Sequence, residues 1–447
     1  MPLHKFSTGL GKLDLDTPLG FGLTFNSRYN GLNYCLSIFI ADTSSLKNRG
    51  LMFGFISSPY IITVWCGGPI ASSFLAGSGF RWAFGMWAIL TPCFTMPLWA
   101  LFMWNYRKAE RAGLIPKRES NRTTLESLKY YVIEFDVVGL FLIAGGLALF
   151  LLPFSLYSYQ ANGWKSALVI SMIIIGGLML IAFGLYEKYL APKTFIPWGL
   201  LTDRTVIGAC ILAATLFIEF YIWDSYFSSF LQVVNNLSVT KASYVVNIYS
   251  IGSCFWARVV GALIRYTGRF KWLALYFGVP ITILGVGLMV KFRQPDTNVG
   301  FLVMCQIFIA FGGGTLVICE QIAAMAATSH QYIAVILAVE GMFASVGGAI
   351  GSTVAGAIWT GTFPNKLAEY LPADAQANLT DIYESLNVQI SYEWGSETRT
   401  AIAHAYGESQ RYMLIAATTI LVLALVSVAV WRDIQVKEFK QTKGRVV

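Results

Sequence analysis

From residue 51 onward the chain alternates long apolar runs with short polar segments that carry most of its charge. The runs are Leu51–Leu75, Trp82–Trp104, Val137–Ser158, Ser166–Tyr186, Val206–Leu231, Ser243–Ile264, Trp272–Val290, Val299–Cys319, Tyr332–Trp359 and Tyr412–Trp431. Most reach roughly twenty residues, the length that carries a helix across ~30 Å of hydrocarbon. An earlier and shorter run, Gly31–Ala41, is interrupted on its amino-terminal side by Arg28, Asn30 and Asn33 and is the weakest candidate. The pattern predicts an all-α membrane protein with about eleven transmembrane helices.

Composition supports that class. Of the 447 residues, 56% are hydrophobic and 13% charged, roughly half the charged share of a soluble domain. Mean hydropathy is +0.59. The net charge of +8 lies between the apolar runs, which fits basic cytoplasmic loops better than a nucleic-acid surface. Seven cysteines lie in or beside apolar segments without CxxC spacing, so neither a disulfide framework nor a zinc site is indicated. Residues 1–26 lack the apolar core and cleavage site of a secretory signal.

Charge also predicts orientation. With the polar loop Asp42–Gly50 placed in the cytoplasm, twenty Lys and Arg fall inside and eight outside. The eight include Lys291, Arg293, Arg399 and Arg411. Sequons at Asn236 and Asn378 then lie outside, and the one at Asn121 lies inside. The longest outer segment, Thr360–Ser409, is rich in Asp and Glu. It reads either as a solvated acidic loop or as a first-contact surface for an incoming ligand.

The stretch Ile40–Pro69 organises the rest. Its pattern Ala41-Asp42-Thr43-Ser44-x-Leu46-x-x-Arg49-Gly50-Leu51, followed by Gly67-Gly68-Pro69, resembles the fourth loop and fifth span of fungal siderophore–iron transporters. That family belongs to the fourteen-span branch of the major facilitator superfamily. Downstream, Asp224-Ser-Tyr-Phe-x-Ser-Phe-Leu-Gln-Val-Val234 resembles the family's ninth span. The stretch from Gly261 to Lys271 resembles its version of the superfamily loop motif, with Arg265 and Tyr266 where the common form has Asp-Arg. Ile358 to Pro372 resembles the start of the last outer loop.

The resemblance implies a major facilitator type bundle that carries ferric siderophore chelates by alternating access, in symport with protons. Iron would arrive already wrapped, so no metal ligands and no cofactor are expected, and the chain is not expected to be an enzyme. Because the match begins at the fourth span, the resemblance implies that three amino-terminal spans lie outside this sequence. The organisation expected is a non-membrane segment at 1–26 and a partial amino-terminal bundle with central loop at 27–130. Two additional linker spans at 131–190 and a six-helix bundle at 191–447 follow, with outer loop 360–409 and a basic cytoplasmic tail. Partners would be the ferric siderophore, protons and the lipid bilayer, with no nucleic acid. The membrane would be the plasma membrane or an endosomal or vacuolar one. Two rival readings stay open: a same-branch carrier for another substrate, by drug or glutathione exchange, and a non-transporting membrane remnant.

Ionisable residues inside apolar runs mark candidate chemistry, since charge is costly in hydrocarbon. Glu219 lies mid-span, Trp223 one turn further on the same face, and Asp224 on a different one. With Tyr226 and Glu340 they form the proton-coupling or substrate-lining candidates, the alternative being structural packing. Glu320 reads as an inner-boundary residue and Arg258 as a snorkelling or paired one. Asp42, Arg49, Arg265 and Arg269 read as conformational-latch candidates, or as plain positive-inside charges for the arginines. Gly312-Gly313-Gly314, Gly347-x-x-x-Gly351 and Ser352-x-x-x-Gly356 suit close helix packing. No Walker A motif, catalytic triad or histidine cluster at ligand spacing is present.

Overall fold

The computed structural model describes residues 31, 33–77, 79–113, 123–157, 160, 162–192 and 202–437. Every regular element among them is helical. The segment 1–26, the Asn121 sequon and the tail beyond Lys437 lie outside these residues. Nine helices among the described residues are long and apolar enough to cross a membrane, and a bent pair makes a tenth. The weakest expected span, Gly31–Ala41, coincides with a helix α1, described over residues 33–43.

The amino-terminal part continues with α2 (Leu46–Ile56), α3 (Tyr60–Ala76) and α4 (Phe80–Arg111). No described residue of α4 is buried, and Phe94, Trp99, Phe102 and Trp104 are all exposed. That is how a helix facing acyl chains presents itself. Next come α5 (Thr124–Glu134) and α6 (Val137–Leu151), which meet at 51°. The bend has a local cause. Asp136 sits in the left-handed region at φ +45° and accepts a hydrogen bond from Gly139 N at 3.2 Å, so it starts α6 on a new axis. Helix α7 (Ala167–Tyr189) packs against α6.

The carboxyl-terminal part is a six-span bundle. Helices α8 (Arg204–Asp224) and α9 (Phe227–Val233) make one broken span, and α10 (Val239–Val246) and α11 (Ile248–Thr267) make the next. Then follow α12 (Val279–Phe292), α13 (Val299–Ala326) and α14 (Ile333–Tyr370). Two short helices, α15 (Leu379–Glu384) and α16 (Leu386–Ser391), precede α17 (Glu397–Val430). The core lies where α8 meets α14 and α17, and where α13 meets α11 and α12.

Small residues set these contacts. A Cβ at Gly347 would lie 2.2 Å from Ala214 O, and one at Gly351 2.5 Å from Ile218 O, so α14 rests on the backbone of α8. Gly356 meets nothing within 4 Å, so the second small-residue pair does not extend this seam. The three glycines of α13 face three neighbours: Thr282 on α12, Tyr249 on α11, and the Ser253 carbonyl.

Helices α14 and α17 have 38 and 34 residues, or about 57 and 51 Å at 1.5 Å per residue. Both outrun the hydrocarbon at the end that carries α15 and α16. The expected outer loop 360–409 is therefore largely a continuation of two membrane helices, closed by a folded lobe over residues 371–396. Phe363, Leu367 and Ile382 are fully buried there.

Two contacts dock the amino-terminal helices onto this bundle. Gly50 of α2 lies against Gly261 of α11. At the other end Gly68 of α3 lies against Ser243 of α10, with the Trp65 and Tyr244 rings 5.2 Å apart. The Tyr34 hydroxyl adds a hydrogen bond to Ala334 O at 2.8 Å.

Candidate transport site

The span from Arg204 breaks at Ser225 and Tyr226. Tyr226 adopts φ +61°, a left-handed conformation that an aromatic residue enters at a cost. Helix α8 thus ends in free carbonyls inside the protein. Arg293, at the end of α12, answers one of them: its Nη1 donates to Trp223 O at 2.6 Å. The guanidinium stacks over Phe227 at 4.3 Å and Phe230 at 5.3 Å and is completely enclosed. The Asp224 carboxylate lies within electrostatic reach of it.

Glu219 is buried on α8, and its Oε1 has no hydrogen-bond partner. Trp223, one turn on, is fully enclosed, with Phe220, Phe227 and Tyr249 around its ring. Trp223 is thus a core residue in this conformation. The Tyr249 hydroxyl group feels the Glu219 charge from α11. A carboxylate, a tyrosine and an indole therefore share one enclosed space beside the helix break, the kind of setting that holds a proton or a polar ligand group.

Glu340 on α14 is also buried, and it lies within electrostatic reach of Glu320 on α13. Glu320 was expected at the inner boundary. It is instead buried within α13, because that helix continues seven residues past Cys319 to Ala326. The sequence signal was present, since Ile322 to Ala327 stays apolar. None of the ion pairs seen among the described residues involves Glu219, Glu320 or Glu340.

Tyr226 is half-buried and stacks on Trp359 of α14 at 4.2 Å. Trp359 continues to Phe363 at 4.1 Å, and Phe363 to Tyr406 at 4.8 Å. The Tyr406 hydroxyl donates to Gln389 Oε1 at 2.8 Å, inside the lobe. Arg399 closes the chain of contacts. It is buried, donating to Val233 O at 3.0 Å, to Gln232 O at 3.1 Å and to Gln389 O. A cation thereby satisfies the carbonyl end of α9 and its dipole. Arg293 and Arg399 were both counted as outer-segment charges. Each is a buried helix-end cap, which hydropathy cannot distinguish from a solvated loop residue.

The latch candidates separate into two groups. Arg49 is fully buried, donating from Nη2 to Ala41 O at 2.7 Å and from Nε to Ser44 O at 3.3 Å. It caps the end of α1. Asp42 pairs with His330 Nε2 at 3.5 Å, across to the turn before α14. Arg265 is exposed. Arg269 pairs with Asp433 at 3.8 Å, within a knot where Val436 N donates to Gly268 O and Lys271 Nζ donates to Ala429 O and Trp431 O. Arg258 is half-buried over Phe255, its backbone close to Gly54.

A membrane bundle of six spans with a broken helix, enclosed carboxylates and a second docked helix group defines a multi-pass transporter of the major facilitator type. Known proteins sharpen the class. A family model described as "Fungal trichothecene efflux pump (TRI12)" matches residues 22–390. "MFS siderochrome iron transporter 1" of Ajellomyces capsulatus is 68% identical over 94% of this chain and 71% of its own length. "MFS siderochrome iron transporter D" of Aspergillus fumigatus is 46% identical, over 96% and 72%. "Siderophore iron transporter mirB" of Emericella nidulans is 43% identical, over 97% and 72%. The chain belongs to the fungal siderophore–iron transporter family of the major facilitator superfamily.

Proposed function

We propose that the chain carries ferric siderophore chelates across a fungal membrane by alternating access, driven by proton symport. The observation that carries this reading is the 68% identity over 94% of the chain to a siderochrome iron transporter. In this reading Glu219 is the proton-accepting group, and Asp224, Tyr226 and Trp359 border the path of the chelate at the helix break. Glu320 and Glu340 supply a second protonatable pair deeper in the bundle. Asp42, Arg49, Arg265 and Arg269 hold the cytoplasmic ends in one conformation. The iron is cargo held by its own chelator, so the carrier needs only to recognise a bulky, polar and partly aromatic-compatible shell. The membrane is the plasma membrane or an endosomal or vacuolar one.

The test is uptake of radioiron supplied as defined ferric siderophores, in yeast cells stripped of their own carriers, at several external pH values. Uptake of at least one chelate, rising with the inward proton gradient, supports the proposal. Surface-localised protein that takes up none, yet lowers retention of a drug-like compound, would favour efflux, the activity named by the matching family model. Uptake unaffected by a protonophore would remove proton symport.

A further inference from the structure

Lys291 and Arg411 flank one cavity of about 400 Å³ between α12 and α17, whose lining is completed by Gly287, Val290 and Gln294. It lies at the end of the bundle that carries the lobe. The depth of both cations follows from the helices. Lys271 donates to Ala429 O, in the last turn of α17, and to Trp431 O just past it, which fixes the two spans in register at the opposite end. Counting back from there, Lys291 stands about twenty residues from Lys271 and Arg411 about twenty from Trp431, each ~30 Å of rise. That is one hydrocarbon thickness. Both charges therefore sit at headgroup level on the same face.

No lining residue of this cavity is acidic. Glu408, one turn before Arg411, lies within electrostatic reach of it, but its ion pair is with Lys366, at 2.8 Å. The Gln294 amide is turned away, donating to Gly407 O at 3.3 Å. Deeper along α12 the wall opens: a Cβ at Gly287 would meet only Thr418 Cγ2, at 3.8 Å. Two cations at the mouth, above the apolar surface of Gly287 and Val290, match by charge and shape an amphipathic molecule with an anionic head in the leaflet on the lobe side.

We propose that this cavity is a binding site for an anionic membrane phospholipid. Its phosphodiester lies between the Lys291 ammonium and the Arg411 guanidinium, and an acyl chain runs over Gly287 along the α12–α17 groove. Arg411 gives the phosphate its planar, two-pronged contact and Lys291 a point charge. The site is independent of the transported substrate.

The full chain, purified and placed in nanodiscs, would be titrated with phosphatidylglycerol, phosphatidylcholine and glycerol phosphate, with retention read by native mass spectrometry. The expected result is an about ten-fold or greater preference for phosphatidylglycerol over phosphatidylcholine, consistent with two surface charges. Lys291→Gln with Arg411→Gln abolishes that preference. Both side chains are exposed, so the substitutions leave the core untouched. Gly287→Leu, with both cations intact, fills the groove and lowers retention of the diacyl lipid. Undiminished preference in the double variant overturns the assignment of these residues. Full competition by glycerol phosphate, with no effect of Gly287→Leu, overturns the lipid and makes this a site for a soluble phosphate.

Discussion

Asp42 Oδ1 and His330 Nε2 meet at 3.5 Å, joining the carboxyl end of α1 to the turn before α14. Tyr34 and Ala334 join the same two regions a few residues away. The pair is largely exposed, so it contributes at most ~1 kcal/mol to stability. Its importance is that it links the amino-terminal helices to the bundle at one end. Asp42→Asn should therefore leave the melting temperature of the purified protein nearly unchanged. A cysteine pair at 42 and 330, once cross-linked, should stop uptake reversibly with reductant. Continued transport by the cross-linked protein would show that this junction does not open during the cycle.

Gly261 has no room for a side chain, since a Cβ would lie 2.6 Å from Leu51 N and 2.7 Å from Gly50 O. Both obstacles are backbone, so neither can swing aside. Gly261→Val should force α2 off α11 and cost about 1–3 kcal/mol, read as a lower melting temperature. The same change at Gly356, which faces open space, should cost far less.

Arg399→Leu would leave the carbonyls of Gln232, Val233 and Gln389 without their donor. Each buried unsatisfied group costs ~1–3 kcal/mol, so the lobe should loosen by about 3 kcal/mol or more. Limited proteolysis should then cut within 371–396 before any other described loop. Arg399→Lys cannot reach all three carbonyls and should give an intermediate rate.

Glu219→Gln keeps the shape of the side chain and removes its charge. Uptake should fall several-fold while delivery to the membrane stays intact, and the remaining uptake should lose its dependence on external pH. Normal uptake by this variant would take Glu219 out of the mechanism. Glu320→Gln separates the second pair from the first: if it acts only through Glu340, the double change Glu320→Gln with Glu340→Gln should be no worse than the more severe single one.

Trp359→Ala removes the ring between Tyr226 and Phe363. Large aromatic truncations cost ~3–5 kcal/mol in a packed core, so Trp359→Phe is the informative change. It keeps a stack and should preserve folding while raising the KM for the chelate more than it lowers the maximal rate.

The spans were legible because hydrophobic length is a direct physical demand of the bilayer, and Val206–Leu231 or Tyr412–Trp431 met it plainly. Glu219 and Glu340 were legible for the same reason, as charge where charge is expensive. What the sequence concealed lay at helix ends. Glu320 escaped because its helix runs on beyond the strongest apolar window. Arg293 and Arg399 escaped because a cation next to a loop looks the same whether it meets water or a buried carbonyl. The break at Tyr226 carried no glycine or proline to announce it, and Arg293 from a distant span is what stabilises it. The lobe was hidden in an acidic composition that also describes a solvated loop.

Helix α14 is continuous from Ile333 to Tyr370, and Lys366 on it binds Glu408 on α17 at 2.8 Å. Lys271 grips the other end of α17. Lys366 thus ties the two longest helices to each other at the lobe end, while Lys271 ties α17 to the segment leading into α12 at the opposite end. Pivoted at its middle, a ~57 Å helix that rocks by about 5° shifts its ends by about 2.5 Å in opposite directions. A fluorophore or antibody fragment seated on the lobe therefore becomes a gauge of the far face, reporting from one side of the membrane a movement on the other.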